Sequence, residues 1–390
     1  MGEVADRART YDIVDHAFTV GRRRRRLRRM VTGGTVFTAV LATVVAVNLT
    51  AGRPNPDEVH ITQGPAQTTA PPPTLPASCE VEPLPLPPGA VDMSVVTGAD
   101  PSGRFIVGKA YPGGSARRLL IWDNLSVSTV DMSGADAQLY DVNSSGIAVG
   151  YSFMGEDMAA WVYEDGRTSR LGGGFAQALG INDDGVIVGN LRPHPVEATP
   201  TVWRSPTAAA EVLPIPQGIS FATADAVDED GTIVGTIDFG RAGLRVWRSD
   251  GRVLTLSPGE VVVHGLPGTE LSAIAIRAGV VLLFAAADIG SSRYLSRVLW
   301  DTRTGKVREL SGVYDARALN ARGWVAAATV RGLESQVTVL NPDDGSSVVL
   351  PPLVESGGAE AVSISDDGTV LAGSSASSLG TTTAVVWHCR

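Results

Sequence analysis

From residue 80 onward the apolar residues come in short runs separated by polar turns, and one cycle recurs. It begins with an apolar strand and an Asx-x-x-Gly turn. A second apolar strand follows, often ending in Val-Gly, and then a variable loop. A third strand ends in Trp, another turn follows, and a fourth strand ends near Leu-Pro or Ser-Gly. Runs this short, bounded by Gly, Pro, Asn and Asp, predict strands rather than helices.

The first turn of each unit fixes the count. It reads Asp100-Pro-Ser-Gly103, Asn143-Ser-Ser-Gly146, Asn182-Asp-Asp-Gly185 and Asp228-Glu-Asp-Gly231. It is degenerate at Gly279, then returns as Asn320-Ala-Arg-Gly323 and Ser365-Asp-Asp-Gly368. The Asx or Ser side chain caps such a turn, and Gly takes its left-handed position. Successive glycines are 43, 39, 46, 48, 44 and 45 residues apart. Trp122, Trp161, Trp203, Trp247, Trp300 and Trp387 mark the third strand of six units, with Leu340 in the sixth. A period near 40–45 residues with four short strands is the pattern of a β-propeller, and loop lengths that vary from unit to unit suit blades. The expected fold is an all-β, seven-bladed propeller over residues 79–390.

The strings ALGINDDGVIVG (178–189), ADAVDEDGTIVG (224–235) and AVSISDDGTVLAG (361–373), each followed by a strand ending in Trp, resemble the extracellular HAF-type repeats of bacterial exported proteins. The resemblance covers roughly residues 90–390 and implies a propeller. It implies no catalytic residues, because that repeat type shares no catalytic motif. The fifth unit, IAIRAGVVLLFAAA, departs most: it lacks both the Asx and the Val-Gly ending.

The repeats begin and end out of phase. The chain stops after a third strand, AVVWHC, while a segment shaped like a fourth strand, CEVEPLPLPPG, stands at residues 79–89. Pairing the two closes the ring and removes its open edges. Cys79 and Cys389, the chain's 2 cysteines, bracket these strands. Neighbouring strands lie about 4.8 Å apart, within disulfide reach, so a closing disulfide is expected.

Residues 1–78 read differently. Arg22 to Arg26, Arg28 and Arg29 form a basic tail (1–29), and no charge follows until Arg53. Residues 30–50 are rich in Val, Ala, Leu and Thr; at 1.5 Å per residue such a run spans roughly 30 Å, a bilayer core. Arginine clusters stay inside, so the expectation is a single-pass helix with its N-terminus cytoplasmic and the propeller extracellular. A cleaved signal peptide is the rival reading, but its basic region would be unusually long and no clean small-x-small site follows. Tyr11, Val14 and Phe18 share one helical face, which suits either the inner leaflet or a cytoplasmic partner. Residues 51–78 form a Pro- and Thr-rich linker that includes Pro71-Pro72-Pro73. In polyproline II, at about 3.1 Å per residue, it reaches roughly 85 Å.

Charge sharpens this picture. Residues 1–52 carry nine Arg against four acidic residues, a balance of +5; with a whole-chain charge of −9 the remainder carries −14. An acidic ectodomain repels phosphate backbones, which argues against nucleic acid. The five histidines (His16, His60, His194, His264, His388) have no metal-ligand spacing, and no HExxH, CxxC, GxSxG or GxxxxGK occurs. Asp183, Asp184, Asp366 and Asp367 fall in turns, without EF-hand spacing. No catalytic, metal or cofactor residue is therefore expected. Tyr151, Phe153, Glu156, Arg192, His194, Asp238 and Arg241 are the loop residues that could line one face. Three functions remain open. The first is a cell-surface binding or scaffold module for a protein or wall polysaccharide. The second is a transmembrane regulator whose tail holds a cytoplasmic partner; its layout is similar to that of membrane-bound regulators of transcription factors in actinobacteria. The third is a propeller enzyme acting on glycans.

Overall fold

A computed structural model describes residues 74–390 except 90–92, 113–116, 195, 332–333, 356 and 379. The basic tail, the apolar run and most of the linker lie outside the described residues. No helix among the described residues is long and apolar enough to cross a membrane.

The described chain forms seven four-stranded antiparallel sheets. Six are consecutive in sequence. Blade 1 is Met93–Ala99, Phe105–Tyr111, Arg118–Asp123 and Ser126–Val130; blade 2 is Ala135–Val142, Ala148–Met154, Asp157–Glu164 and Arg167–Arg170. Blade 3 runs from Ala176–Ile181 to Glu211–Val212, blade 4 from Ala226–Val227 to Val253–Leu256. Blade 5 runs from Glu270–Arg277 to Val307–Glu309, and blade 6 from Val313–Leu319 to Ser347–Val349. Blade 7 is composite: Ala359–Ile364, Val370–Ala376 and Thr382–Cys389 take Cys79–Pro83 as their fourth strand. Cys79 pairs directly with Cys389, and the two form a disulfide with Cα atoms 4.0 Å apart. Ring closure and the closing disulfide are thus as expected from the phase of the repeats.

The hydrophobic residues are not gathered in one core. They form seven clusters, one at each blade interface, from Phe105, Val107 and Leu139 between blades 1 and 2 to Leu84, Ile106 and Val386 between blades 7 and 1. A blade is too thin to bury its own apolar surface, so each sheet is stabilised by its two neighbours. That explains why a chain with such short apolar runs still folds.

The tryptophans act at these interfaces. Trp122, Trp203, Trp247, Trp300 and Trp387 each belong to the cluster shared with the preceding blade. Four of them also donate an indole N–H to a carbonyl of the connection leaving that blade: Pro85, Gly172, Pro214 and Pro351, at 2.7–2.8 Å. Each acceptor directly follows a buried leucine (Leu84, Leu171, Leu213, Leu350). The Leu-Pro ending and the strand-three Trp are therefore two halves of one clasp, with a hydrogen bond contributing about 1 kcal/mol. Leu340 occupies the Trp register in blade 6, opposite Val325. The seventh tryptophan, Trp324, packs instead beneath the blade 7 turn, where a Cβ on Gly368 would fall 2.3 Å from its ring.

The Val-Gly signature has a local cause. Six inner strands carry a one-residue bulge or register shift. In blades 1 to 3 and 7 it pushes a carbonyl toward the second strand, and blade 4 makes the same approach. A Cβ at Gly108, Gly150, Gly189, Gly235 or Gly373 would lie 1.7–2.2 Å from that oxygen.

Candidate functional site

The two ends of the channel are built differently. One end, the turn face, carries the turns joining strands one to two and three to four. The other, the loop face, carries the connections joining strands two to three and one blade to the next. Glycines 103, 146, 185, 231, 279, 323 and 368 all sit on the turn face with φ between 74° and 79°.

On the turn face, turn residues bond across blades as well as within them. Asn143 accepts its own turn's N–H groups from Ser145 and Ile147, and donates Nδ2–H to Asn182 O. Asn182 does the same toward Asp228 O, and Asn320 toward Ser365 O. An amide accepts through its oxygen and donates through its nitrogen, which an ionised Asp cannot do, and this suits Asn at these positions. A second set of bonds links the same turns. Ser144 Oγ–H donates to Asp100 and Asp183, and Asp183 N–H donates to Glu229. Asp366 accepts Ala321 N–H and donates its own N–H to Pro101 O. Asp183 and Asp366, which the sequence places in turns, join blades, whereas Asp367 caps its own turn through Ser365 and Thr369.

Blade 5 completes this arrangement by departing from it. Its turn is two residues, Ala278-Gly279, both at positive φ (48° and 74°), with Arg277 paired to Val280. The missing cap is supplied from blade 4: Asp228 accepts the N–H groups of Ala278 and Gly279 at 3.0 and 2.7 Å. Arg277 then bonds Glu229 of blade 4 at 2.5 Å and Asp366 of blade 7 at 2.5 and 3.0 Å. Blades 5 and 7 are not neighbours, so this bond runs across the channel mouth. Burial opposes the charge on Arg277, but the two carboxylates outweigh it and raise its pKa. Asp141, on the inner strand of blade 2, senses the same group. Burial pushes its carboxyl up to about 7, against bonds from Ile181 and Val142 N–H; Glu229 adds to the rise and Arg277 opposes it. On the turn face, then, the mouth is spanned by one guanidinium bridging carboxylates of two blades. That bridge ties blades 4, 5 and 7 together.

The loop face is the opposite in character. Among the described residues, ten large hydrophobic side chains are exposed, and Met154, Val196, Val262, Ile289, Tyr294, Leu295 and Tyr314 lie on this face; Val212, Val253 and Val349 lie on outer strands. Four of the seven gather at blade 5. There the second and third strands, Val280–Ile289 and Ser292–Asp301, are ten residues long and carry Ile289, Tyr294 and Leu295. A small hairpin, Val262–Val263 with Leu266–Pro267, sits beside them, its His264 bonded to Glu309 and Leu295 O. Non-glycine backbone at positive φ occurs on both faces, at Asp136, Arg192, Asp238, Phe239 and His264 here and at Asn124, Leu125, Asp165 and Ala278 on the turn face.

The seven loop residues singled out in the sequence all fall on the loop-face half of blades 2, 3 and 4. They do not form one constellation. Tyr151 is 3% exposed and stacked on Tyr140, with Phe153 edge-on at 6.0 Å. Arg192 pairs with Glu197 at 3.5 Å, and Arg241 N–H closes a turn on Asp238 O. Sequence reasoning missed Phe221, stacked on Phe239 at 3.8 Å, and Lys109. Burial, with Arg117 nearby, lowers the Lys109 amine to about 8, while Asp136 opposes the fall. The signal for Lys109 was its rarity, since it and Lys306 are the only lysines. No group of three or more His, Cys, Asp or Glu side chains among the described residues is arranged to hold a metal ion.

No family model matches the chain, and no curated protein matches it. Solved structures do. The β-propeller domain of the Trilobed protease from Pyrococcus furiosus superposes with a TM-score of 0.51 and 11% identity, over 76% of this chain and 95% of that one. An oligogalacturonate lyase in complex with manganese gives a TM-score of 0.48 and 12% identity, over 82% and 96%. A puromycin hydrolase gives 0.48 and 16%, over 76% of this chain and 54% of the hydrolase. At such identities likeness shows the fold alone: this is a seven-bladed β-propeller. The Pyrococcus domain has an open velcro topology, whereas here Cys79–Pro83 closes the ring.

Proposed function

We propose that the chain is a membrane-anchored, extracellular propeller of the HAF-repeat kind, acting as a binding or scaffold module through its loop face. The observation that carries this reading is the segregation of exposed apolar side chains: seven of ten lie on the loop face and none at the turn-face mouth. Exposed apolar groups that cluster on one side of a domain mark interaction surfaces. Chain direction supports it. Cys79 and Arg390 both lie on the turn face, at the opposite end of the blades from the loop face. The arginine cluster followed by the apolar run supports a cytoplasmic N-terminus, and the closing disulfide suits an oxidising exterior.

The test is capture of surface components by the full-length chain, compared with Tyr294→Ala/Leu295→Ser. Specific capture that is lost in the double variant is the expected result. Equal capture by both proteins would remove blade 5 from the binding face.

A further inference from the structure

Between blades 6 and 7 the loop-face half holds a cleft of about 200 Å³. Small-molecule sites usually measure about 300–1,000 Å³, so this one admits a single ring or side chain. Its apolar lining is Ala326, Ala328 and Val337 of blade 6 with Ala359 and Ala361 of blade 7, and Tyr314 stands at its rim, 50% exposed. Its polar wall is Asp315, Arg317 and Glu360.

The wall is already charge-balanced. Arg297 of blade 5 holds Asp315 from outside the cleft at 2.5 Å, while Arg317 bridges Asp315 at 3.2 Å and Glu360 at 2.6 Å. Burial would raise the Asp315 carboxyl, but Arg317 and Arg297 outweigh it and hold it below the ordinary range. An ionic ligand would have to displace an existing partner. A hydroxyl need not, because it donates to a carboxylate lone pair while accepting a guanidinium N–H. An aromatic side chain would fill the floor but strip water from the charged wall without replacing its bonds. A pyranose or furanose ring satisfies both surfaces, with its C–H face on the alanines and its hydroxyls on the wall.

We infer that this cleft is a subsite for one ring of a neutral, hydroxyl-rich saccharide such as a wall polysaccharide presents. The inference rests on the loop face being the binding face and names the ligand class for that face. One ring in so small a cleft binds weakly, with a Kd on the order of 1 mM.

The experiment is saturation-transfer NMR on the full-length chain with galactotriose, arabinotriose and N,N′-diacetylchitobiose, and with digalacturonate as the charged comparator. At least one neutral probe should bind, with digalacturonate about tenfold weaker. Tyr314→Ala and Ala328→Phe, one at the rim and one filling the cleft, should each weaken binding about tenfold, with melting temperatures confirming that both remain folded. Three results would overturn the inference: no neutral probe binds, binding survives both variants, or the acidic probe or an aromatic peptide is preferred. If no sugar binds while Tyr294→Ala/Leu295→Ser still abolishes capture, the cleft assignment falls and the binding-face reading stands.

Discussion

The two faces of this propeller use their residues for different ends. At the turn face, polar side chains bond from blade to blade, and one arginine crosses the channel mouth to a blade that is not its neighbour. At the loop face, large apolar side chains stand in solvent. Where polar groups are paired, the fold is being held; where large apolar groups are left uncovered, something else is expected to cover them. The contrast yields a clear rule. Turn-face substitutions should cost stability, and loop-face substitutions should cost binding alone.

The largest effect is expected where the ring closes. Reducing Cys79–Cys389, or replacing both with Ser, frees a 310-residue loop. In the chain-entropy model, whose mechanism is disputed, that loss is on the order of 5 kcal/mol. Denaturant unfolding with and without reductant measures it. A change below about 1 kcal/mol would mean that strand pairing alone closes the ring.

The next effect depends on pH. Asp141, pushed up to about 7 by burial, binds its proton more tightly folded than unfolded. Its contribution is therefore fully present below about pH 4 and is lost as pH rises toward 7. Asp225, raised to about 6 by burial against a bond from Thr236, adds to the lower half of that window. Asp123 and Asp367, whose pKa values are lowered, act in the opposite sense at more acid pH. Discounted for partial exposure, the Asp141 share is about 3 kcal/mol. Unfolding measured from pH 4 to 8 should show stability falling until about pH 7, and in Asp141→Asn falling only until about pH 6. An unchanged slope in the variant would show that burial does not raise the Asp141 pKa in the folded protein.

Arg277→Met should follow. It leaves Glu229 and Asp366 facing each other without their shared cation. Losing one partner of a buried pair costs about 3–5 kcal/mol, but these carboxylates are about one-third exposed, so about 2 kcal/mol is expected. The variant should also steepen the Asp141 pH slope, because Arg277 opposes its rise. Loss of stability with no change in slope would separate the two groups.

Much of the frame was legible in the sequence, for a physical reason. Turn glycines, strand-three tryptophans and the displaced fourth strand are set by local backbone geometry and by repeat phase, and both are written linearly. The clasp between Trp and the preceding Leu-Pro was not legible, because it joins residues 31–37 positions apart whose common purpose appears only when blades stack. Arg277 was hidden more deeply. In the sequence it looks like damage to a motif. In the ring, the short Ala278-Gly279 turn puts an arginine where the other blades carry Asp, Asn or Ser, and the lost cap comes from Asp228. The blade 6–7 cleft draws on strands from both blades and on Arg297 of a third, so no local pattern announces it.

The smallest stability effect is the one that decides the comparison. Tyr294 and Leu295 are 41% and 51% exposed, on the part of blade 5 that extends past its own fourth strand. Removing exposed apolar groups leaves no cavity and no orphaned polar atom, so Tyr294→Ala/Leu295→Ser should change stability by no more than about 0.5 kcal/mol. Thermal unfolding checks this on the same protein used for capture. If the variant stays as stable as the parent and loses its partner, these side chains are retained for contact with something outside the chain. If it loses 2 kcal/mol or more, roughly the cost of a buried defect, the apolar cluster at blade 5 is core that the hairpin at Val262–Pro267 only partly covers. The two faces would then differ in how they hold the fold, and the loop face would have to show its binding through the blade 6–7 cleft alone.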